Sequence, residues 1–332
     1  MTPKEIFLET LKPDGKPERL LKQYEALCFL KNDPIRNYIY KGRNIPGQTT
    51  VDPWGTTHVF LKGAPSSAPY VTEKNKVCPD ITRWREYVHA PDLEAHCSEG
   101  WEACLEESKK ACGDDRLLFG FMGIGLFEQL HFLMGFEDAL INFKKHPQEM
   151  HELIDYILDY RMTYLEMLID KTHPEGIFSH DDWGTVSYLF MRPQMWRDFF
   201  KEPYRKFYGY IRSKGMIAIH HADSYLMPIV KDMPEIGIQV WQGVLPQNDI
   251  PALQAELNGS MVLMGGIGGE IDREDSTEEE IRPYVRSALE KYAPGGHYIP
   301  SITYGAGGTI YKHVDPVIND EIEQYNQKHF NI

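Results

Sequence analysis

Three short segments of this chain gather acids, imidazoles and phenols at spacings that suit proton transfer or metal binding. In His180-Asp181-Asp182-Trp183-Gly184-Thr185 two adjacent acids follow an apolar run, and the glycine permits a sharp exit. Side chains alternate between faces along a strand, so His180 and Asp182 share one face if extended backbone reaches that far. In Ile219-His220-His221-Ala222-Asp223-Ser224-Tyr225 the same period of two sets Ile217, Ile219, His221 and Asp223 on one side and His220 on the other. A His and an Asp two positions apart can hold one metal ion or one proton between them. The third segment, Thr303-Tyr304-Gly305, closes another apolar run, and Tyr304 can donate a hydrogen bond or stack on a flat ligand. Each feature also has a structural use, since acids after a strand cap helices and buried histidines satisfy core hydrogen bonds. It is their coincidence at three strand ends that points to a site.

Such ends require strands, and from residue 115 onward the chain supplies them. Short apolar runs (LLFGFMGIG, GIFSHDD, GMIAIHHAD, IQVWQGVL, SMVLMGGIG, HYIPSITYG) alternate with amphipathic stretches such as PQEMHELIDYILDYRMTYLEMLI. Strand-then-helix repetition implies a parallel sheet. Six such strands, with one or two from the first third including HVFL, approach eight and predict an α/β fold of the (β/α)8 TIM-barrel type. Functional residues of that fold sit at the C-terminal strand ends. Residues 1–332 are expected to form one domain, with residues 1–80 as a helical and β-hairpin extension packed on the barrel. Its start, Thr2-Pro3-Lys4-Glu5, is a capping box with Pro at the first helical position, and residues 40–80 are rich in Gly, Pro and Thr. No GxGxxG opens a helix near the start and no Walker sequence occurs, while Gly265-Gly266-Ile267-Gly268-Gly269 reads as a tight strand-to-helix turn.

The chain's 332 residues are 42% hydrophobic and 25% charged, enough for a substantial core, and carry a formal charge of −14. That acidity disfavours nucleic acid or an anionic membrane surface as a partner. No apolar run approaches the roughly 20 residues that span a bilayer, and MTPKEIFLETLK lacks a signal-peptide core, so a cytoplasmic protein is expected. Cys28, Cys78, Cys97, Cys104 and Cys112 form no CxxC pair and are expected to be free thiols.

The same segments carry a family resemblance. GFEDALINFKKHPQEMHELIDYIL, GIFSHDDWGT, the Met191-Arg192-Pro193 and Trp196 stretch, IHHADSYLMPIVKDMPEIG and VLMGGIGG resemble successive landmarks of the uroporphyrinogen decarboxylase superfamily, from the Asp52-Pro53-Trp54-Gly55 turn onward. The resemblance implies a barrel whose mouth holds the active site, and either of two activities. Decarboxylases of the family hold a tetrapyrrole's carboxylates with an Arg-Gln-Ala-Gly-Arg segment near the N-terminus. Here IRNYIYKGRNIPG, with Arg36 and Arg43 spaced differently, stands in that place, and decarboxylation becomes the second choice. The corrinoid-dependent methyltransferase branch carries a zinc site of the form His-x-Cys with a further Cys near the C-terminus. In this chain His221-Ala222-Asp223 occupies the first element, and no Cys follows residue 112.

A His and carboxylate site without thiolate is harder and suits an oxygen ligand. The resemblance therefore implies transfer of a methyl group from a small donor, best an aryl methyl ether, to the Co(I) of a separate corrinoid protein, that is, an O-demethylase component. Asp182, His221 and Asp223 are the expected catalytic residues, with His221 and Asp223 as ligands of a Zn²⁺ ion. Asp181, Trp183, His220, Tyr225, Trp241, Tyr304 and Phe121 are expected to line the substrate. The corrinoid is assigned to the partner because Asp170-Lys171-Thr172-His173-Pro174-Glu175-Gly176 misses the Asp-x-His-x-x-Gly spacing of a corrinoid carrier by one residue. A rival metal set of Glu137, Glu152 and His173 falls in helices and a strand-entry loop. From a different class comes a barrel that binds a cobamide or small ligand without turnover.

Overall fold

The computed structural model describes residues 1–62, 66–305 and 308–330. Its strands, in chain order, are β1 (Leu27–Phe29), β2 (Thr49–Val51), β3 (Thr57–Val59), β4 (Ala68–Pro69), β5 (Leu117–Met122), β6 (Gly176–His180), β7 (Ile217–His221), β8 (Val240–Val244), β9 (Val262–Ile267) and β10 (Tyr298–Ile302). Seven of them pair in parallel as one ladder, in the order β1-β5-β6-β7-β8-β9-β10. Helices fill the connections and cover the outer face of the sheet, and β7, β8 and β10 are buried along their whole length. This is the (β/α)8 TIM-barrel type of fold, and all six strands read from the second two-thirds of the chain are present.

Alternation along the strands divides the core in two. Leu117, Phe119, Phe178, Ile217, Ile219, Val240, Val262, Met264 and Ile299 point inward and form a single apolar cluster. Their neighbours Leu118, Ile177, Ala218, Trp241 and Leu263 point outward into the larger layer between sheet and helices. The helix Pro3–Thr10, started by the Thr2/Glu5 capping box, drives Ile6 and Phe7 into the inner cluster, where Phe7 meets Phe119 edge-on at 6.5 Å. The Lys4 amide bonds the carbonyl of Asp115, just ahead of β5, so this helix plugs the N-terminal end of the barrel.

Two expectations about the first third are corrected. The HVFL run is not a barrel strand, because β3 pairs antiparallel with β2 and β4 in a separate three-stranded sheet. The barrel strand of this region is β1, paired with β5, so the barrel begins inside the stretch expected to be an extension. Among the described residues the ladder has seven strands. Between β10 and β1 the seam is closed by side chains: Gln23 Oε1 accepts from the Ile302 amide (3.1 Å), and the Tyr24 hydroxyl donates to the carbonyls of Tyr304 (2.8 Å) and Gly305 (3.0 Å).

Strands of two and three residues cannot build an apolar core of their own. The small sheet is held by a buried polar knot in which Asp52 accepts from Arg43 (2.6 Å), from His58 (3.0 Å) and from the amides of Trp54 and Thr56. All five cysteines are buried and unpaired. Among the described residues no helix is long and apolar enough to cross a membrane.

Candidate active site

At the C-terminal ends of β6 and β7 the inward-facing positions bring His180, Asp182 and His221 together, with one possible ligand atom from each lying within 4.8 Å of the others. Cross-strand register puts His180 directly beside His221, and their rings stack at 4.7 Å. Each donor has its other polar atom anchored. His180 Nδ1 faces Glu128 Oε2 (3.1 Å), and Glu128 is itself held by the Gly125 amide (3.0 Å). Asp182 Oδ1 accepts from the Asp223 amide (3.1 Å) and the Ser224 hydroxyl (3.2 Å), which leaves Oδ2 toward His180 Nε2 (3.5 Å).

The tautomer of His221 follows from its partner. Gln242 uses its amide nitrogen to donate to the Tyr304 carbonyl (2.7 Å), so its Oε1, 2.5 Å from His221 Nδ1, must accept. His221 therefore carries its proton on Nδ1 and presents the Nε2 lone pair to the barrel mouth. Gly305 lies over that nitrogen, and a Cβ built there would approach it to 3.7 Å.

Charge is distributed unevenly across the cluster. Burial pushes the His221 imidazolium down to about 4, with the neighbouring His180 adding to the effect, so His221 is neutral. Burial also opposes charge on His180, but the carboxylates of Glu128 and Asp182 outweigh it and hold the imidazole well above its ordinary range. Burial raises Asp182, yet the His180 hydrogen bond and charge bring it down to about 2. Asp223, pushed up to about 6 by burial and then by the Asp182 carboxylate, is the inward-facing acid poised to exchange a proton near neutrality, while burial and then the Glu128 charge lift the outward-facing Asp181 to about 7.

The donor set fits a divalent metal ion. Two Nε2 atoms and one carboxylate oxygen, each with an anchored second atom, make the two-His-one-carboxylate arrangement that zinc and other first-row metals accept. Their spread is somewhat wider than the about 3.3 Å between ligands on one tetrahedral zinc. The proton that His180 carries toward Asp182 is the one that metal binding would release. Among the described residues this is the only such three-residue grouping. Glu152, from the rival set, instead pairs with Arg85 (2.8 Å).

The expected residues divide by face. Asp182, His221, Asp223 and Phe121 lie at the inner side of the mouth, with Tyr225 half-buried just beyond β7, whereas the Tyr304 ring packs outward on the Ile267, Ile271 and Ile302 cluster and its hydroxyl donates to the Gly269 carbonyl (3.4 Å). Asp223 contributes its amide to Asp182, but its carboxylate is not one of the three grouped ligands; His180 and Asp182 take that role beside His221. Phe121 stacks on Phe178 (5.5 Å), which stacks under His221 (6.1 Å), so an aromatic wall runs from the grouped donors to the exposed Arg36 guanidinium 4.6 Å over Phe121.

Asp181, Trp183, His220 and Trp241 lie on the outer face and do not line the mouth. The Asp181 carboxylate is consumed by the amides of Phe127 (3.0 Å) and Glu128 (2.9 Å), by Trp183 Nε1 (2.8 Å) and by the Tyr204 hydroxyl (2.5 Å). His220 bonds the Tyr208 hydroxyl (2.6 Å) and stacks on Trp183 at 4.1 Å. Trp241 donates to the Ala222 carbonyl (2.9 Å). Parity alone decides this, since each of the four is one residue out of phase with the inward positions. Glu128 and Gln242 were not expected at the site, although each had a signal: Glu128 follows the β5 end by a first helical turn, and Gln242 shares parity with Val240.

A sequence profile described as Uroporphyrinogen decarboxylase (URO-D) matches residues 59–315. Among solved structures, a methyltransferase from Methanosarcina mazei is similar in fold, with a TM-score of 0.69 and 13% identity over 98% of this chain and 99% of that one. No curated protein matches the chain.

Proposed function

The chain belongs to the uroporphyrinogen decarboxylase (URO-D) family, and on that premise we propose that it transfers a methyl group from a small oxygen-bound donor, best an aryl methyl ether, to the Co(I) of a separate corrinoid protein. The observation that carries this is the thiolate-free His180-Asp182-His221 grouping at the mouth of an aromatic-walled barrel. Nucleophilic attack of Co(I) on the methyl carbon breaks the O–CH₃ bond, gives methyl-Co(III) and leaves the oxygen with the bonding pair. That oxygen needs a positive charge or a proton as it departs. His180, Asp182 and His221 would hold a Zn²⁺ ion, which would supply Lewis acidity to the departing oxygen.

The chain's own residues do the rest. Phe121, backed by the buried Phe178, seats the flat ring, Arg36 over Phe121 meets an anionic ring substituent, and Asp223 delivers a proton to the departing oxygen. Because this last role requires the protonated carboxyl, kcat/KM is expected to fall, up to tenfold per unit, as pH rises through the Asp223 pKa, which lies at about 6 in the metal-free site and would be lowered by the charge of a bound ion. In Asp223→Asn that limb disappears and the residual rate is flat; an unchanged limb in the variant removes Asp223 from proton delivery. Glu128→Gln exchanges the acceptor that orients His180 for a weaker one, so zinc affinity measured by chelator competition is expected to drop about 10–100-fold.

The deciding experiment mixes the protein with a Co(I) corrinoid protein and methoxyarenes, methanol or methylamines, and follows the visible spectrum. Methyl-Co(III) formed from a methoxyarene supports the reading. Porphyrinogen decarboxylation without methyl transfer replaces it with the decarboxylase, and ligand binding without either turnover replaces it with the binding barrel.

A further inference from the structure

Outside the candidate active site, beside the loop that follows β5, a narrow cleft of about 20 Å³ is walled in part by Trp54, Ile124, Gln129, Tyr160 and Arg161. That volume holds one sphere the size of a water molecule. Three polar atoms from this wall have no hydrogen-bond partner: Gln129 Nε2, Tyr160 Oη and Arg161 Nε. All three carry a hydrogen to donate, and Gln129 and Arg161 are each only 4% exposed.

Arg161 is also a buried cation without a carboxylate among the described residues. Its Nη1 donates to the carbonyls of Gly123 (3.2 Å) and Ile124, its Nη2 reaches Ser179 Oγ (3.5 Å), and the guanidinium lies 5.0 Å from the Phe207 ring centre. Buried charges are ordinarily paired, and no acid lines this cavity. We propose that the cavity binds a monatomic anion, chloride under physiological conditions, coordinated by Arg161 Nε–H, Gln129 Nε2–H and Tyr160 O–H. A water molecule fits the space but not the chemistry. It accepts two hydrogen bonds, not three, must place two hydrogens of its own, and leaves the guanidinium charge uncompensated. Sulfate and phosphate are too large.

The site has a structural task. The two carbonyls that Arg161 grips belong to the loop after β5, where Ile124 holds a φ of +55°, a left-handed conformation that a β-branched residue resists. Four residues on is Glu128, the partner of His180. An anion that fixes Arg161 thus pins this loop from below, independently of which reaction the mouth performs.

The test uses the whole protein. In crystals soaked with sodium bromide, an anomalous peak is expected within hydrogen-bond distance of the three donors. In solution, Tm is expected to rise by about 5 °C as chloride goes from none to a hundredfold excess over its Kd, compared with gluconate at equal ionic strength. Tyr160→Phe removes one donor with little change of shape and should flatten that dependence. An ordered water without anomalous signal, together with equal Tm in chloride and gluconate for the unaltered protein, overturns the proposal whatever the variant does.

Discussion

Asp182→Asn is expected to lower kcat for methyl transfer on the order of 10³-fold while the protein stays folded. The amide oxygen can still accept from the Asp223 amide and the Ser224 hydroxyl, so the local backbone is retained. The negative charge facing His180 is lost, however, and with it one of three grouped ligands. His221→Ala should produce a loss of the same order for a separate reason, because it deletes the lone pair that Gln242 orients toward the mouth. Metal content by mass spectrometry and methyl-Co(III) formation should fall together in both variants. Full turnover in Asp182→Asn would sink the assigned site outright.

The second large effect concerns the neighbouring acid and has the opposite signature. Asp181→Ala should cost about 3–5 kcal/mol of stability, since it strips a fully buried carboxylate from four donors that then have no acceptor. The urea midpoint reports the loss, and the folded fraction should still bind metal. A midpoint within experimental error of the unaltered protein would contradict the structural role. Two adjacent aspartates, one failing in activity and the other in stability, would show that strand parity separates function from architecture here.

That parity was partly legible in the sequence. The alternation that sets Ile217, Ile219, His221 and Asp223 on one side needs only a strand through IAIHH, and β7 is such a strand. Trp183, His220 and Trp241 each stand beside an inward residue in sequence, and the same alternation turns them outward. The strand β1 escaped notice for a different reason: three residues are too few for any period, and only pairing with β5 makes them extended. Conversely, HVFL has strand composition, but composition does not say which sheet a strand joins. Gln242 and Glu128 come from other elements than the histidines they orient, and contacts of that kind, |i−j| of 21 for one and a strand-to-helix crossing for the other, exist only once the barrel has closed.

The helix Pro3–Thr10 imposes an order of events on any two-substrate reaction in this chamber. Ile6 and Phe7 fill the far end of the barrel, so a ligand of the grouped donors would come in over the loops above β6 and β7. In the proposed reaction a small donor and a macromolecular acceptor would share that side, so the donor would enter first, the carrier would then cover it, and the demethylated product would wait for the carrier to leave. Under that proposal, steady-state kinetics should be sequential and ordered, with excess carrier inhibiting by covering the mouth before the donor has entered.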